Sequence, residues 1–155
     1  MIKKLNLNDT ETVKRVLELQ IASYKVEADI LGFYEIPPLK DTIDSLKKCD
    51  EIFYGYHIRD ALAGIISYKT INDTLDIHRV AVHPNFFRIG VGGKLVDYVE
   101  GNERAINRII VCTGNMNIPA VSLYLKKGYK KINDIEVSKG IYLTQFEKIL
   151  NFKAI

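Results

Sequence analysis

An extended apolar segment, Val80-Ala81-Val82, runs through His83 into a turn marked by Pro84. A basic, glycine-bearing loop follows, Phe87-Arg88-Ile89-Gly90-Val91-Gly92-Gly93, and opens into a helix that continues as Lys94-Leu95-Val96. Strand, tight loop and helix in direct succession constrain the fold more than any other stretch of this chain. Glycines let the backbone approach a ligand closely and turn several amide N–H groups the same way. The helix N-terminus behind them adds partial positive charge, so the loop reads as an anion site and a phosphate cradle. The same residues also describe a glycine turn that simply starts a helix.

Two well-known phosphate loops do not fit. A GxxxxGK loop needs Ser or Thr next, whereas Gly93-Lys94 is followed by Leu95 and its first glycine position holds Arg88. A GxGxxG fingerprint starting at Gly90 needs a third glycine where Leu95 stands.

The 155 residues make one domain, 1–155, long enough to bury roughly 70% of the unfolded surface. A net charge of +3, with basic and acidic residues interspersed, gives little support to a nucleic-acid partner and suits a pocket for a small polyanion equally well. Cys49 and Cys112 stand far apart without a nearby histidine pair. Neither a disulfide framework nor a metal site is indicated, and both thiols are expected to be buried or half-buried. Met1 to Asn6 enters polar residues at once and no apolar run approaches membrane-spanning length, so a cytoplasmic protein without membrane contact is expected.

The first helix is expected with Asn8 as cap and Glu11 completing a capping box, its apolar positions running from Val13 to Tyr24. The pattern dissolves from Glu27 to Pro38, and the proline pair begins a second helix over Leu39 to Cys49. Strands are expected at Glu51–Ile58, Leu62–Thr70 and Leu75–Val82, separated by turns at Arg59-Asp60 and Asn72-Asp73. After the glycine loop come a helix ending near Gly101-Asn102 and a strand at Arg108–Thr113. A helix at Asn117–Lys127 and strands at Tyr129–Ile132 and Ile141–Ile149 complete the chain. The order β-α-α-β-β-β-α-β-α-β-β implies an α/β fold with a mixed sheet and helices on both faces.

This order, with the loop after the fourth strand, resembles the GCN5-related N-acetyltransferase superfamily. That family's Q/R-x-x-G-x-G/A signature meets Phe87-Arg88-Ile89-Gly90-Val91-Gly92, both glycines matching and Phe87 replacing the Gln or Arg. Its N-x-x-A-x-x-L-Y-x-K-x-G-F signature is met from Asn117 through Ala120, Leu123, Tyr124, Lys126 and Gly128, with Tyr129 in place of the last Phe. The resemblance implies a mostly antiparallel sheet, an acyl-CoA donor, usually acetyl-CoA, and an amine acceptor, either a small molecule or a peptide. The pyrophosphate would rest on the backbone of Arg88, Ile89, Gly90, Val91, Gly92 and Gly93. The pantetheine arm would pair with a splayed strand edge at Val80, Ala81 and Val82, where a backbone N–H also stabilises the oxyanion. Phe87 removes one side-chain contact from this cradle and leaves its backbone.

Resemblance further gives Tyr124 the role of acid toward the departing thiolate, although a helical tyrosine is also an ordinary core aromatic. Asn117 would cap its helix and touch the coenzyme. For the base, Asp76 and His78 lie two apart on the fourth strand and share a face with Val80 and Val82; cross-strand polar partners are the equal alternative. Arg79 falls on the opposite face, structural or exposed. Between the first two helices Tyr24, Glu27, Asp29, Phe33 and Tyr34 offer aromatic walls and carboxylates for a small cationic amine. Direct transfer in a ternary complex needs no covalent intermediate, and Cys112 is expected to be packed. A non-catalytic acyl-CoA-binding sensor on the same fold is the alternative, and the strand Ile141–Ile149 could pair with a second subunit.

Overall fold

The computed structural model describes residues 1–150. Its elements are β1 (Ile2–Lys4), α1 (Thr10–Leu31), α2 (Ile43–Lys48), β2 (Ile52–Ile58), β3 (Ala61–Ile71), β4 (Thr74–Val82), α3 (Val91–Asn102), β5 (Arg108–Gly114), α4 (Ile118–Lys126), β6 (Lys130–Ser138) and β7 (Ile141–Ile149). They match the expected order. The strands form one seven-stranded sheet in the order β1-β2-β3-β4-β5-β7-β6, antiparallel except where β4 meets β5. Each face carries its own core. Val13, Val16 and Leu19 of α1 and Leu46 of α2 pack on Phe53, Ile65 and Ala81. On the other face Val91, Leu95, Val96 and Val99 of α3 join Tyr124 of α4, Ile66, Tyr68, Ile109 and Phe146. Burying an aliphatic side chain of this size contributes about 1.5–3 kcal/mol.

Helix α1 departs from the sequence reading at both ends. Asp9, not Asn8, is its cap, accepting from the Thr12 N–H at 3.2 Å and the Thr12 hydroxyl at 2.7 Å. Asn8 instead donates its backbone N–H to the Asn6 side chain, and Glu11 closes no box. The helix continues through the Glu27–Leu31 segment, where the pattern seemed to dissolve, because Gly32 closes it in the left-handed region at φ 64°. The Gly32 and Phe33 N–H groups both return to the Ala28 carbonyl. The proline pair opens a 3-10 turn, Pro37–Lys40, rather than the second helix. Thr42 and Ser45 then form a reciprocal capping box that starts α2, a helix of only six residues. Strand β6 runs on to Ser138, well past Ile132, because its pairing with β7 extends to the turn at Gly140.

Close approach of α3 to the sheet depends on Gly64. A Cβ there would lie 2.6 Å from Val91 Cγ1 and 3.2 Å from the Ala81 carbonyl. Gly64→Ala is therefore expected to lower stability by about 1–3 kcal/mol through overpacking. A denaturant midpoint unchanged from wild type would contradict this close contact.

Candidate active site

Strands β4 and β5 pair in parallel only from Thr74–Arg108 to Ile77–Val111. Beyond that point they part. β4 keeps its partnership with β3 as far as Gly64–Val82, while β5 follows β7 to Gly114–Leu143. The parting coincides with a bulge: Tyr68 opposes Ile77 and Ser67 opposes Arg79, so His78 is an extra residue in β4.

The bulge shifts the alternation of side chains and corrects one expectation. Leu75 and Ile77 face α3, and so do Val80 and Val82 beyond the bulge. Ala81 faces α1, and the Arg79 guanidinium lies over the Phe53 ring at 5.3 Å in that same layer. Asp76 and His78 thus do not share a side with Val80 and Val82. They remain neighbours, His78 Nε2 to Asp76 Oδ2 at 3.4 Å, and the other ring nitrogen faces Glu51 at 3.3 Å. Arg79 is neither exposed nor isolated. It pairs with Asp41 at 3.0 Å and with Glu51, which also accepts from the Ser67 hydroxyl at 2.7 Å.

The gap between the parted strands is where the remaining candidates meet. One donor freed along β4 turns to α1, the Val82 N–H donating to Ser23 Oγ at 3.2 Å; the Tyr24 phenol is pushed up chiefly by burial, an effect the nearby Val80 backbone partly offsets. Tyr24 belongs to the α1-side core and Tyr124 to the α3-side core, and Tyr124 contributes to the upward push on the Tyr24 phenol. Tyr124 is 3% exposed and packs between Tyr129 and Phe146 with ring centroids at 5.5 and 5.6 Å. Burial first and then the nearby Glu27 carboxylate push the Tyr124 phenol up. Glu27, one turn after Tyr24, interacts with the Asn117 side chain, the Gly114 backbone and the Thr113 side chain, and burial raises its carboxyl above the usual range. Asn117 caps α4 by accepting from the Ala120 N–H at 3.3 Å.

Other expected contributors lie apart from this cluster. Asp29 is exposed and accepts from the exposed Tyr34 hydroxyl at 2.7 Å. Phe33 is half-buried just past the Gly32 cap. Cys112 is exposed, not packed, and Cys49 is half-buried; desolvation raises both thiols, so neither is activated as a nucleophile. Ser23, Thr113 and the Arg79 network escaped sequence reasoning. Periodicity could not mark them, since their roles exist only where β4 leaves β5.

At the far end of β4 the chain passes a 3-10 turn, Pro84–Phe86, and enters the glycine loop. Phe87 N–H bonds to the Pro84 carbonyl and Lys94 N–H to the Gly90 carbonyl. Between them the N–H groups of Arg88, Ile89, Gly90, Val91, Gly92 and Gly93 have no hydrogen-bond acceptor among the described residues. Arg88 at φ 66° and Gly90 at φ 86° both adopt the left-handed region, a nest-like turn at the start of α3. Phe87 and Ile89 are exposed on its rim. Gly92 lies over β4, where a Cβ would sit 3.6 Å from both Val80 and Val82.

The Acetyltransferase (GNAT) family model matches residues 13–129, a span that holds most of α1, the parted strands, the loop and Tyr124. The chain belongs to this family. Among the described residues no helix is long and apolar enough to cross a membrane. The UPF0157 protein YqkA of Bacillus subtilis (strain 168) is 34% identical over 146 residues, covering 94% of this GNAT chain and 43% of that protein. The chain therefore spans less than half the length of that curated relative. Among solved structures it resembles smu.2055 from Streptococcus mutans UA159, with a TM-score of 0.80, 18% identity and coverage of 97% and 99% of the two chains. It also resembles the PaiA N-acetyltransferase from Thermoplasma acidophilum in complex with coenzyme A, with a TM-score of 0.76, 20% identity and coverage of 94% and 96%.

The Arg79 network makes one prediction at this stage. Arg79 and Glu51 side chains are 10% exposed and Asp41 16%, so Arg79→Met leaves two carboxylates without their buried cation. A loss of about 3–5 kcal/mol is expected, read by chemical denaturation. A loss below about 1 kcal/mol would mean that solvent already screens the cluster.

Proposed function

We propose that this chain is a single-domain N-acetyltransferase that moves the acetyl group of acetyl-CoA directly to a primary amine within a ternary complex. The observation that carries the reading is the run of six unpartnered N–H groups, Arg88 to Gly93, at the end of a strand whose edge has left its neighbour. Such a run, at a helix N-terminus, suits a pyrophosphate. Phe87 stands on the rim and the cradle is backbone, so its replacement of Gln or Arg leaves the donor site in place.

In this reading the β4 edge at Val80, Ala81 and Val82 takes the pantetheine arm, and Asn117 borders it. The Val80 and Val82 N–H groups are the donors offered to acyl and pantetheine carbonyls, the latter once the Ser23 hydroxyl yields it. A preorganised N–H aimed at the developing oxyanion contributes about 3–4 kcal/mol in acyl transfer. Tyr124, under the gap, protonates the leaving sulfur. Its raised phenol makes it a weak acid in the resting state, so the proton moves only as the C–S bond breaks and the thiolate charge appears beside it.

The amine enters from the α1 side, past Tyr24, Glu27 and Phe33, with Asp29 and Tyr34 at the outer rim. Asp76 and His78 lie on that same side of the sheet, where the Asp76 carboxylate contributes negative charge toward a cationic acceptor. Structural relatives include an aminoglycoside 6'-acetyltransferase type Ii and the ribosomal-protein-S18-alanine N-acetyltransferase of Escherichia coli, which supports amines as the acceptor class. The capped Val82 donor favours one second reading, a non-catalytic acyl-CoA sensor.

Calorimetric titration with acetyl-CoA, with ATP and dephospho-CoA as controls, tests the donor site. Gly92→Asp is expected to abolish binding by placing a carboxylate beside the cradle, against the β4 edge at Val80 and Val82, while Gly92→Ala, whose Cβ meets only ordinary contacts, keeps the fold. Unchanged affinity in Gly92→Asp would refute the cradle. Tyr124→Phe should lower kcat by about 10²–10⁴-fold with little change in the KM for acetyl-CoA. Binding of acetyl-CoA without CoA release in the presence of any amine would favour the sensor.

A further inference from the structure

We infer that Lys127, at the end of α4, is a side-chain cation of the donor site and binds a phosphate group of the coenzyme. The inference rests on the acetyl-CoA reading of the glycine loop and adds to it a residue from outside the loop. At the loop position where the family signature has Gln or Arg, this chain has the uncharged Phe87. The six N–H groups that follow are dipoles, and a phosphate is held more strongly when an ionised donor joins them.

Lys127 brings that charge from the neighbouring helix. A Cβ on Gly93, the third residue of α3, would lie 3.3 Å from Lys127 Cε and 3.5 Å from its Nζ. The lysine stem therefore crosses α3 within its first turn, in space that glycine leaves open. Gly128, in the left-handed region at φ 89°, closes α4 just past Lys127, and the Tyr129 N–H returns to the Tyr124 carbonyl at 3.0 Å. That closure fixes where the lysine leaves its helix. The adjacent Lys126 is exposed, and Lys94 turns to β2, its Nζ 3.4 Å from the Tyr56 hydroxyl.

The resting partner of Lys127 is Asp97, one turn after Gly93, at 2.7 Å. The pair is unequal. The Lys127 side chain is 18% exposed and that of Asp97 63%, so water screens the carboxylate while the ammonium is largely withdrawn from it. The ammonium also lies beside the first turn of α3, the helix end that carries partial positive charge and favours anions. Two positive features thus converge where one exposed carboxylate faces them. A phosphate seated on the Arg88–Gly93 N–H groups faces both at once, and Lys127 turns to it from Asp97 by rotating its side chain.

Calorimetric titration of the full chain with acetyl-CoA, at low and at high salt, tests the assignment. Lys127→Met keeps an apolar stem against Gly93 and Leu123 and removes the charge. It is expected to weaken binding by about 10–100-fold at low salt and by less at high salt. Lys127→Arg should restore most of the affinity. Asp97→Asn releases the ammonium and should act in the opposite direction, tightening binding by about 2–5-fold, a gain that disappears when Lys127 is already Met. Dephospho-CoA separates the two sources of phosphate. A loss that persists with it assigns Lys127 to the pyrophosphate, and a loss confined to ligands with the 3′-phosphate assigns it there. Wild-type affinity in Lys127→Met overturns the inference. So does a loss of equal size at low and high salt, because a packing defect is not screened. Wild-type protein that binds no acetyl-CoA overturns the donor reading instead, and that titration comes before any variant is made.

Discussion

The parting of β4 from β5 after the Ile77–Val111 pair governs the rest of the molecule. It arises because each strand stays with its antiparallel neighbour: β4 with β3 to Val82, β5 with β7 to Gly114. His78 supplies the extra residue that bends β4 at the point of separation. A gap in the middle of a sheet exposes backbone donors that cannot be left unpaired, since each buried unsatisfied group costs about 1–3 kcal/mol. Ser23 meets that need for Val82 by accepting from its N–H. The position of α1 over the sheet is set with it by the buried Val13, Val16 and Leu19.

Two kinds of polar chemistry flank the bulge, and their differences separate support from reaction. On the α2 side Arg79, Asp41, Glu51, Ser67 and His78 bind one another, and this closed set joins the 3-10 turn and α2 to β4. Gln20 strengthens the same junction by donating to Asp41 at 2.6 Å and to the Pro38 carbonyl at 2.8 Å. Each charge there has an opposite partner, and such sets hold geometry more than they drive chemistry. In the gap the balance is different. Glu27, Tyr24 and Tyr124 all have their neutral forms favoured by burial. Burial there keeps both phenols neutral beside the edge of β4.

What the sequence made legible was whatever depends on local spacing. The strand-loop-helix unit, the second signature ending at Gly128 and the order of elements were readable because turn glycines, apolar periodicity and motif spacing are local properties. Tyr124 followed from its motif, and its burial between Tyr129 and Phe146 fits both the acid and the packed aromatic. The failures also have local causes. The α1 C-terminus was misplaced because Glu27–Leu31 carries mixed faces, whereas its true stop, Gly32, lay inside the stretch read as loop. The proline pair seemed to open a helix, yet the Thr42–Ser45 box starts it six residues after Pro37. Asp76 and His78 were assigned to the wrong face because a bulge inserts one residue into a period of two, and nothing in Thr74–Val82 announces it. Glu27's place in the gap depends on tertiary contacts with Thr113, Gly114 and Asn117, far away in sequence.

Phe87 is the one departure from the family signature that bears on donor binding, and the loop geometry decides how much it matters. A cradle built from side chains would lose affinity with each replacement. This one is built from six N–H groups whose direction is set by Arg88 at φ 66°, Gly90 at φ 86° and the first turn of α3. A non-glycine residue in the left-handed region costs about 1–2 kcal/mol, and Arg88 accepts that cost where a relaxed loop would turn its N–H groups apart. Gly90, with no heavy atom within 4 Å of where its Cβ would stand, is required by its backbone angle and not by crowding. Gly92 is different, since it faces Val80 and Val82 and lets α3 lie close over the free edge of β4. The loop and the strand edge are thereby held in one rigid relation, which in the proposed function lets a single extended ligand engage both.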